Sequence, residues 1–203
     1  MLKVLLVRHG MTPGNKLSRY IGRTDEPLLE EGIALLEEKK EKIREVMIPD
    51  RLFVSPMKRC RQTAEIFFGD MQQQIIDDLR EFDFGIFENK NYKELSGSGE
   101  YQSWVDSFCE APVPGGESMA IFKSRCCAGL DQIIASLNEA EYTDGKIAVV
   151  VHGGTIMSLM DLYSEEKKSY YDWSVKNGEG YLVELDPVLW KQGKKIFVHG
   201  IKV

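Results

Sequence analysis

The chain has 203 residues, 43% apolar and 29% charged, a composition that excludes a disordered or fibrous protein and gives one domain over 1–203 enough apolar residues for a core. Its net charge of −6 argues against nucleic acid as a partner. The four cysteines, Cys60, Cys109, Cys126 and Cys127, form no Cys-x-x-Cys pair, so free thiols in a reducing cytoplasm are expected.

Lys3 to Val7 (KVLLV), bounded by Gly10 and Pro13, predicts a buried strand and is too short for a signal-peptide core. A polar, glycine-containing loop is expected from Arg8 to about Pro27. Glu30 to about Met47 predicts a helix with Ile33, Leu36, Ile43 and Met47 along one side. Arg51 to Val54 is a second strand; Ser55 and Pro56 then have the chemistry of an N-cap and first helical residue. Cys60, Ala64 and Phe67 of that helix should face inward. Gln74 to Ile76 is a third, short strand.

Over about 77–116, glycines and prolines interrupt pieces that hold Phe82, Phe84, Phe87, Tyr92 and Trp104. These aromatics demand burial, so the segment is an excursion over the sheet and not a linker. Glu117 to Leu137 is a long helix with Met119, Phe122, Cys126, Leu130, Ile133 and Leu137 at helical spacing. Ile147 to Val151 is the clearest buried strand, and Gly154 to Leu162 opens another helix. Tyr181 to Leu185 and Ile196 to Val198 should close the chain as an edge hairpin. No run reaches transmembrane length, so no membrane partner is expected. The alternation predicts a three-layer α/β/α sandwich, a mostly parallel central sheet, and the excursion lying over the strands' C-terminal edge.

Two strands end alike, in Val7-Arg8-His9-Gly10 and in Val151-His152-Gly153-Gly154. In a parallel sheet those ends share one edge, where ligands bind. His9 and His152 are therefore candidates for one crevice, although two satisfied strand-capping histidines would look the same. Arg59 falls in the first turn of the helix after the second strand, where free N–H groups and the helix dipole already attract anions. Its planar fork matches phosphoryl oxygens, whereas Arg61 reads as a solvated surface residue. Arg8, Asn15, Arg59 and the two histidines together describe a pocket for a dianion. A zinc site from His9, His152 and His199 is the metal alternative. The neighbours of His9 and His152 are arginine and glycines and not further ligands, so no metal or cofactor is expected, and His199 reads as structural.

At this point the sequence resembles the histidine phosphatase family, also called the phosphoglycerate mutase-like superfamily. The blocks that carry the resemblance follow the family order: Arg8-His9-Gly10, Tyr20 to Gly32, Ser55 to Ala64, Leu79 to Glu88, Pro114 to Ser118, and His152-Gly153-Gly154. The resemblance implies that His9 is a nucleophile phosphorylated on a ring nitrogen. It also implies that Arg8, Arg59 and His152 surround the phosphoryl group, and that Asn15, Gly22, Arg23 and Gly153 lie at the substrate. Glu81 matches the family's proton donor, a role its neighbours Phe82 and Phe84 favour by disfavouring charge. Taken by itself, Glu81 reads first as a surface partner of Arg80.

The implied activity is metal-independent hydrolysis of a small phosphate ester. A phosphoglycerate mutase-type isomerase is the first alternative, but Trp104-Val105-Asp106 stand where the resemblance places a mutase's adjacent arginines, and Phe84 stands for a tyrosine. A catalytically silent phosphate-binding module on the same fold is the second. Arg23-Thr24-Asp25 and LREFDFG resemble the branch that holds α-ribazole phosphatases and broad-specificity phosphatases. The aromatics of the excursion could wall a nucleoside-like leaving group or only pack the segment down.

Overall fold

The computed structural model describes residues 1–203 apart from the side chain of His199, so the structural reading of that side chain lies outside the described residues. Six strands, β1 (Leu2–Arg8), β2 (Arg51–Val54), β3 (Gln73–Ile75), β4 (Lys146–Val151), β5 (Gly180–Leu185) and β6 (Val198–Lys202), form one sheet in the order β3-β2-β4-β1-β5-β6. The first four are mutually parallel, β5 runs antiparallel to β1, and β6 antiparallel to β5.

The period of two along each strand divides the core. Val4, Leu6, Val149 and Val151 pack under α5 (Met119–Ala135) and α7 (Gly153–Tyr163), through Phe122, Cys126, Leu130, Ile156 and Leu159. Leu5, Val7, Ala148 and Val150 pack on the other face, under α2 (Glu30–Val46) and α3 (Lys58–Phe68), through Leu36, Ile43, Cys60, Ala64 and Phe67. β1 and β4 are covered on both sides, which is why they read as continuous apolar runs. The result is the α/β/α sandwich. All four cysteines are free. Among the described residues no helix is long and apolar enough to cross a membrane.

The structure departs from the sequence expectations in several places. The stretch from Arg8 to Pro27 contains a short helix, α1 (Pro13–Lys16), capped by Thr12 with Pro13 at its first position. Ser55 does not cap α3. Met57 takes that position without a side-chain bond, Asp25 Oδ1 accepts from Lys58 N at 2.7 Å, and Ser55 Oγ turns instead to His152. Ile33 lies on the open side of α2, where buried Gly32 takes the inward position beside Met11.

In the excursion, Phe82, Phe87 and Trp104 of α4 (Gly99–Asp106) are buried, but Tyr92 is exposed. The two last strands pair antiparallel at the sheet edge as expected, but β6 begins only at Val198, and α8 (Pro187–Lys191) lies in the connection. Asp186 caps α8, accepting from Val188 N and Leu189 N. A further helix, α6 (Glu139–Asp144), is exposed throughout or nearly so and therefore left no apolar stripe to read.

Thr63 ties α3 to the end of β1. Its buried Oγ1 accepts from Gly10 N at 2.9 Å and donates to Arg59 O at 2.7 Å. Thr63→Val keeps the volume but leaves the Gly10 N–H without an acceptor, which should cost about 1–3 kcal/mol. The expected result is a lower urea midpoint with an unchanged slope; an unchanged midpoint would show that this bond contributes nothing.

Candidate active site

β1 and β4 lie side by side with Arg8 opposite Val151, so the residues that follow them are forced together. His9 N donates to Val151 O at 3.0 Å, and the His9 and His152 rings sit 5.2 Å apart between centroids. His9 Nδ1 is 2.7 Å from Gly10 O. A carbonyl can only accept, so Nδ1 carries the proton and Nε2 keeps its lone pair. Arg59 Nε lies 3.3 Å from His152 Nδ1 and Ser55 Oγ 2.7 Å from His152 Nε2. Since guanidinium only donates, the His152 proton is on Nε2 and points at Ser55. Both rings are buried. Burial first, then the nearby Arg59 and other positive groups, hold both imidazoles well below their ordinary pKa, so both are neutral at pH 7.

Arg59 is fully buried, which a guanidinium tolerates only when its donors are taken. Nη1 donates to Thr24 O at 2.7 Å and Nη2 to Gly22 O at 2.8 Å. With Nε on His152, three donors of the fork are used and two N–H groups remain. Arg61, two residues on, is exposed. Arg8 donates from Nη1 to Val175 O at 2.7 Å, while its buried Nε has no partner in the protein.

Glu81 lies across the crevice. Its oxygens accept from Phe82 N at 2.9 Å and Gly154 N at 3.1 Å and do not pair with Arg80. Burial raises its pKa, opposed by those two bonds and by Arg59 and Arg8. The backbone behind it is fixed by Arg125, which donates to the carbonyls of Asp78, Arg80 and Glu81 and pairs with Glu117 at 2.5 Å.

A cavity of about 370 Å³ opens over this group. Arg8, His9, Asn15, Glu81, Gly153 and Gly154 contribute to its polar part; Tyr20, Phe82, Phe84, Trp104, Phe122 and Tyr171 line the apolar part. Arg59 and His152 sit behind His9 and off the cavity wall. Gly22 is also behind the wall, holding Arg59 through its carbonyl. Arg23 is exposed and faces Asp83 at 3.7 Å. Gly22 and Arg23, expected at the substrate, are thus not among the residues that line this cavity.

Several participating residues escaped sequence reasoning. Asn177 Nδ2 donates to His9 O at 2.9 Å and Asn15 Oδ1 at 3.2 Å, reaching in from the segment before β5. Ser55, Glu88 and Arg125 act through partners far along the chain, and only the Asn177-Gly178 turn signal marked its place. Among the described residues no group of three or more His, Cys, Asp or Glu side chains is arranged to hold a metal ion.

The profile described as "Histidine phosphatase superfamily (branch 1)" matches residues 4–193. The chain belongs to this superfamily and is an enzyme of the histidine phosphatase class. It is 33% identical over 139 residues to the "Probable phosphoglycerate mutase GpmB" of Proteus mirabilis (strain HI4320), covering 66% of this chain but 64% of that protein, just under two thirds of its length. It is 28% identical over 163 residues to the "Adenosylcobalamin/alpha-ribazole phosphatase" of Escherichia coli (strain K12), covering 78% and 77%. The solved alpha-ribazole phosphatase from Shigella flexneri superposes with a TM-score of 0.75 at 25% identity, covering 91% of each chain.

The neutral histidines make stability depend on pH with a definite sign. Their folded pKa lies below the ordinary 6.5, so below that pH the unfolded chain takes up protons that the buried rings refuse. Their contribution is therefore complete above pH 6.5 and declines as pH falls toward the folded value. His9→Ala removes one such group, and the loss between pH 6 and 5 should shrink by up to about 1.4 kcal/mol in urea titrations. An unchanged slope would mean that His9 is already protonated in the fold.

Proposed function

We propose that the protein is a metal-independent phosphomonoesterase that passes the phosphoryl group of a small ester to His9 Nε2 and then to water. The observation that carries this reading is the neutral His9, with its Nε2 lone pair free, beside the buried, unpartnered Nε of half-buried Arg8. In the first step the lone pair attacks phosphorus and the P–O bond to the leaving group breaks. Glu81, whose raised pKa keeps its carboxyl protonated further into the pH range, gives its proton to the departing oxygen. In the second step water attacks the phosphohistidine, Glu81 takes the water's proton, and the N–P bond returns its electrons to Nε2.

Arg8 and the two spare N–H groups of Arg59 neutralise the transferring oxygens, and the amide of Asn15 and the backbone of Gly153 complete the phosphoryl cradle. His152 holds Arg59 in plane and reaches the phosphoryl group by releasing Ser55. The Gly10 carbonyl on Nδ1–H supports the charge that His9 gains. Gly22 contributes through Arg59, and Arg23 lies exposed beside Asp83.

Hydrolysis is favoured over isomerisation because the stretch expected to grip a second acidic group offers no cation. Trp104 is buried among aromatic rings, Val105 is apolar, and Asp106 pairs with Gln102. Among the described residues the one further cation on the wall is Arg19, which donates to Asn89 at 3.1 Å and Glu94 at 2.9 Å and keeps a buried Nε without a partner. Tyr20, Phe82, Phe84 and Trp104 line the cavity while Phe87 and Tyr92 do not, so part of the aromatic set faces substrate and part packs the excursion. An ester with a flat, largely apolar leaving group, such as the nucleoside-like group in the names of the α-ribazole phosphatases, fits this wall.

Turnover of p-nitrophenyl phosphate in EDTA is expected, and its absence would favour a silent phosphate-binding module. Glu81→Gln should slow alkyl phosphates by about a hundred- to ten-thousandfold, because an alkoxide needs the proton. It should slow p-nitrophenyl phosphate at least tenfold less, since that phenolate leaves unaided. Equal losses on both substrates would remove Glu81 from the role of acid.

A further inference from the structure

The half-buried carboxylate of Glu88 is outside the reaction just described, yet it collects more donors than any phosphoryl-contacting group does. Oε1 accepts from Arg23 N at 2.9 Å, Gly22 N at 3.1 Å and Phe84 N at 3.2 Å. Oε2 accepts from Thr24 Oγ1 at 2.7 Å, Thr24 N at 3.3 Å and again Gly22 N at 3.3 Å. The N–H groups of residues 22–24 thus turn toward this carboxylate, while the carbonyls of Gly22 and Thr24 turn the other way and receive Arg59 Nη2 and Nη1. The approach leaves no room at position 22. A Cβ there would stand 1.7 Å from Phe82 O and 2.6 Å from Glu88 Oε1.

We propose that Glu88 is a positioning residue for the phosphoryl site: it fixes the 22–24 backbone so that two carbonyls aim the Arg59 fork. The proposal rests on the reading above only in taking Arg59 as a phosphoryl-binding group. A carboxylate suits the role because it is acceptor-only, so both oxygens can face this crowd of donors and share their lone pairs among them. An amide in its place would turn an N–H₂ toward donors and leave one or more unpaired. The layered arrangement also sets a negative charge, then oriented peptide dipoles, then the buried guanidinium. That order lowers the cost of keeping Arg59 charged before an anion arrives. The bond to Phe84 N ties the same carboxylate to the cavity wall, so a purely structural role in seating the excursion is the rival account.

A double-mutant cycle separates the two accounts. Glu88→Gln is nearly isosteric; Thr24→Val removes only the hydroxyl donor. Arg59→Lys keeps a charge but cannot span both carbonyls. Rates on p-nitrophenyl phosphate, scaled to the folded fraction, and the affinity for inorganic phosphate are measured for each single and double variant. Glu88→Gln should lower kcat at least tenfold and weaken phosphate binding, and Thr24→Val should do both by about threefold. In the Arg59→Lys background each change should have less than a twofold effect. Equal losses in both backgrounds, or wild-type kcat in Glu88→Gln, would overturn the proposal. If the wild type hydrolyses no ester, the phosphate affinities alone decide: a non-additive cycle keeps the positioning role while the hydrolase reading falls, and an additive cycle ends both.

Discussion

Four nitrogen-rich side chains, two guanidinium groups and two imidazoles, share one corner of the fold, and burial, reinforced by repulsion among them, decides how they are charged. Arginine does not give up its proton in proteins, so the imidazoles must stay neutral. For His9 that constraint underlies the proposed role, because a neutral ring with Nδ1–H held by Gly10 O keeps a lone pair at Nε2. The positive charge left on Arg8 and Arg59 has no side-chain ion-pair partner within hydrogen-bonding distance, its donors resting on backbone carbonyls and His152. In the proposed reaction, binding a dianion and presenting a nucleophile to it thus follow from one cause.

The scaffold exists to hold that corner in place. Parallel pairing of β1 with β4 sets His9 beside His152, and helices on both faces keep the strand ends dry. Each charged group is then aimed by backbone. Val175 O holds Arg8, Gly22 O and Thr24 O hold Arg59, and Phe82 N and Gly154 N hold Glu81. Backbone partners cost little side-chain entropy and leave charge undiminished, which suits groups that must act on a passing ligand. Positioning matters most where chemistry is largely electrostatic, as in phosphoryl transfer.

The parts of this arrangement legible in the sequence are those with local signals. KVLLV and IAVVV announce strands buried on both faces, and their shared His-Gly endings announce one edge. Arg59 is readable from its place in the first turn of α3, and Arg61 from its polar flank. Ser55 was misread because Ser-Pro before a helix has the chemistry of a cap, whereas its hydroxyl is claimed by His152, 97 residues away. Asn177 and Glu88 act across 168 and 64–66 residues, and no periodicity or spacing encodes such contacts. The role of the aromatics was similarly undetermined, since side chains on the cavity wall and those packed behind it have the same composition.

The claim on which the account turns is that His9 carries the phosphoryl group during turnover. Rapid mixing with a ³²P-labelled ester, a quench in base and mapping of the labelled peptide test it directly. The account predicts a burst of label on His9 that survives base, is lost in acid, and is absent from His9→Ala. Steady turnover with no labelled enzyme, or an acid-stable label on another residue, would contradict it.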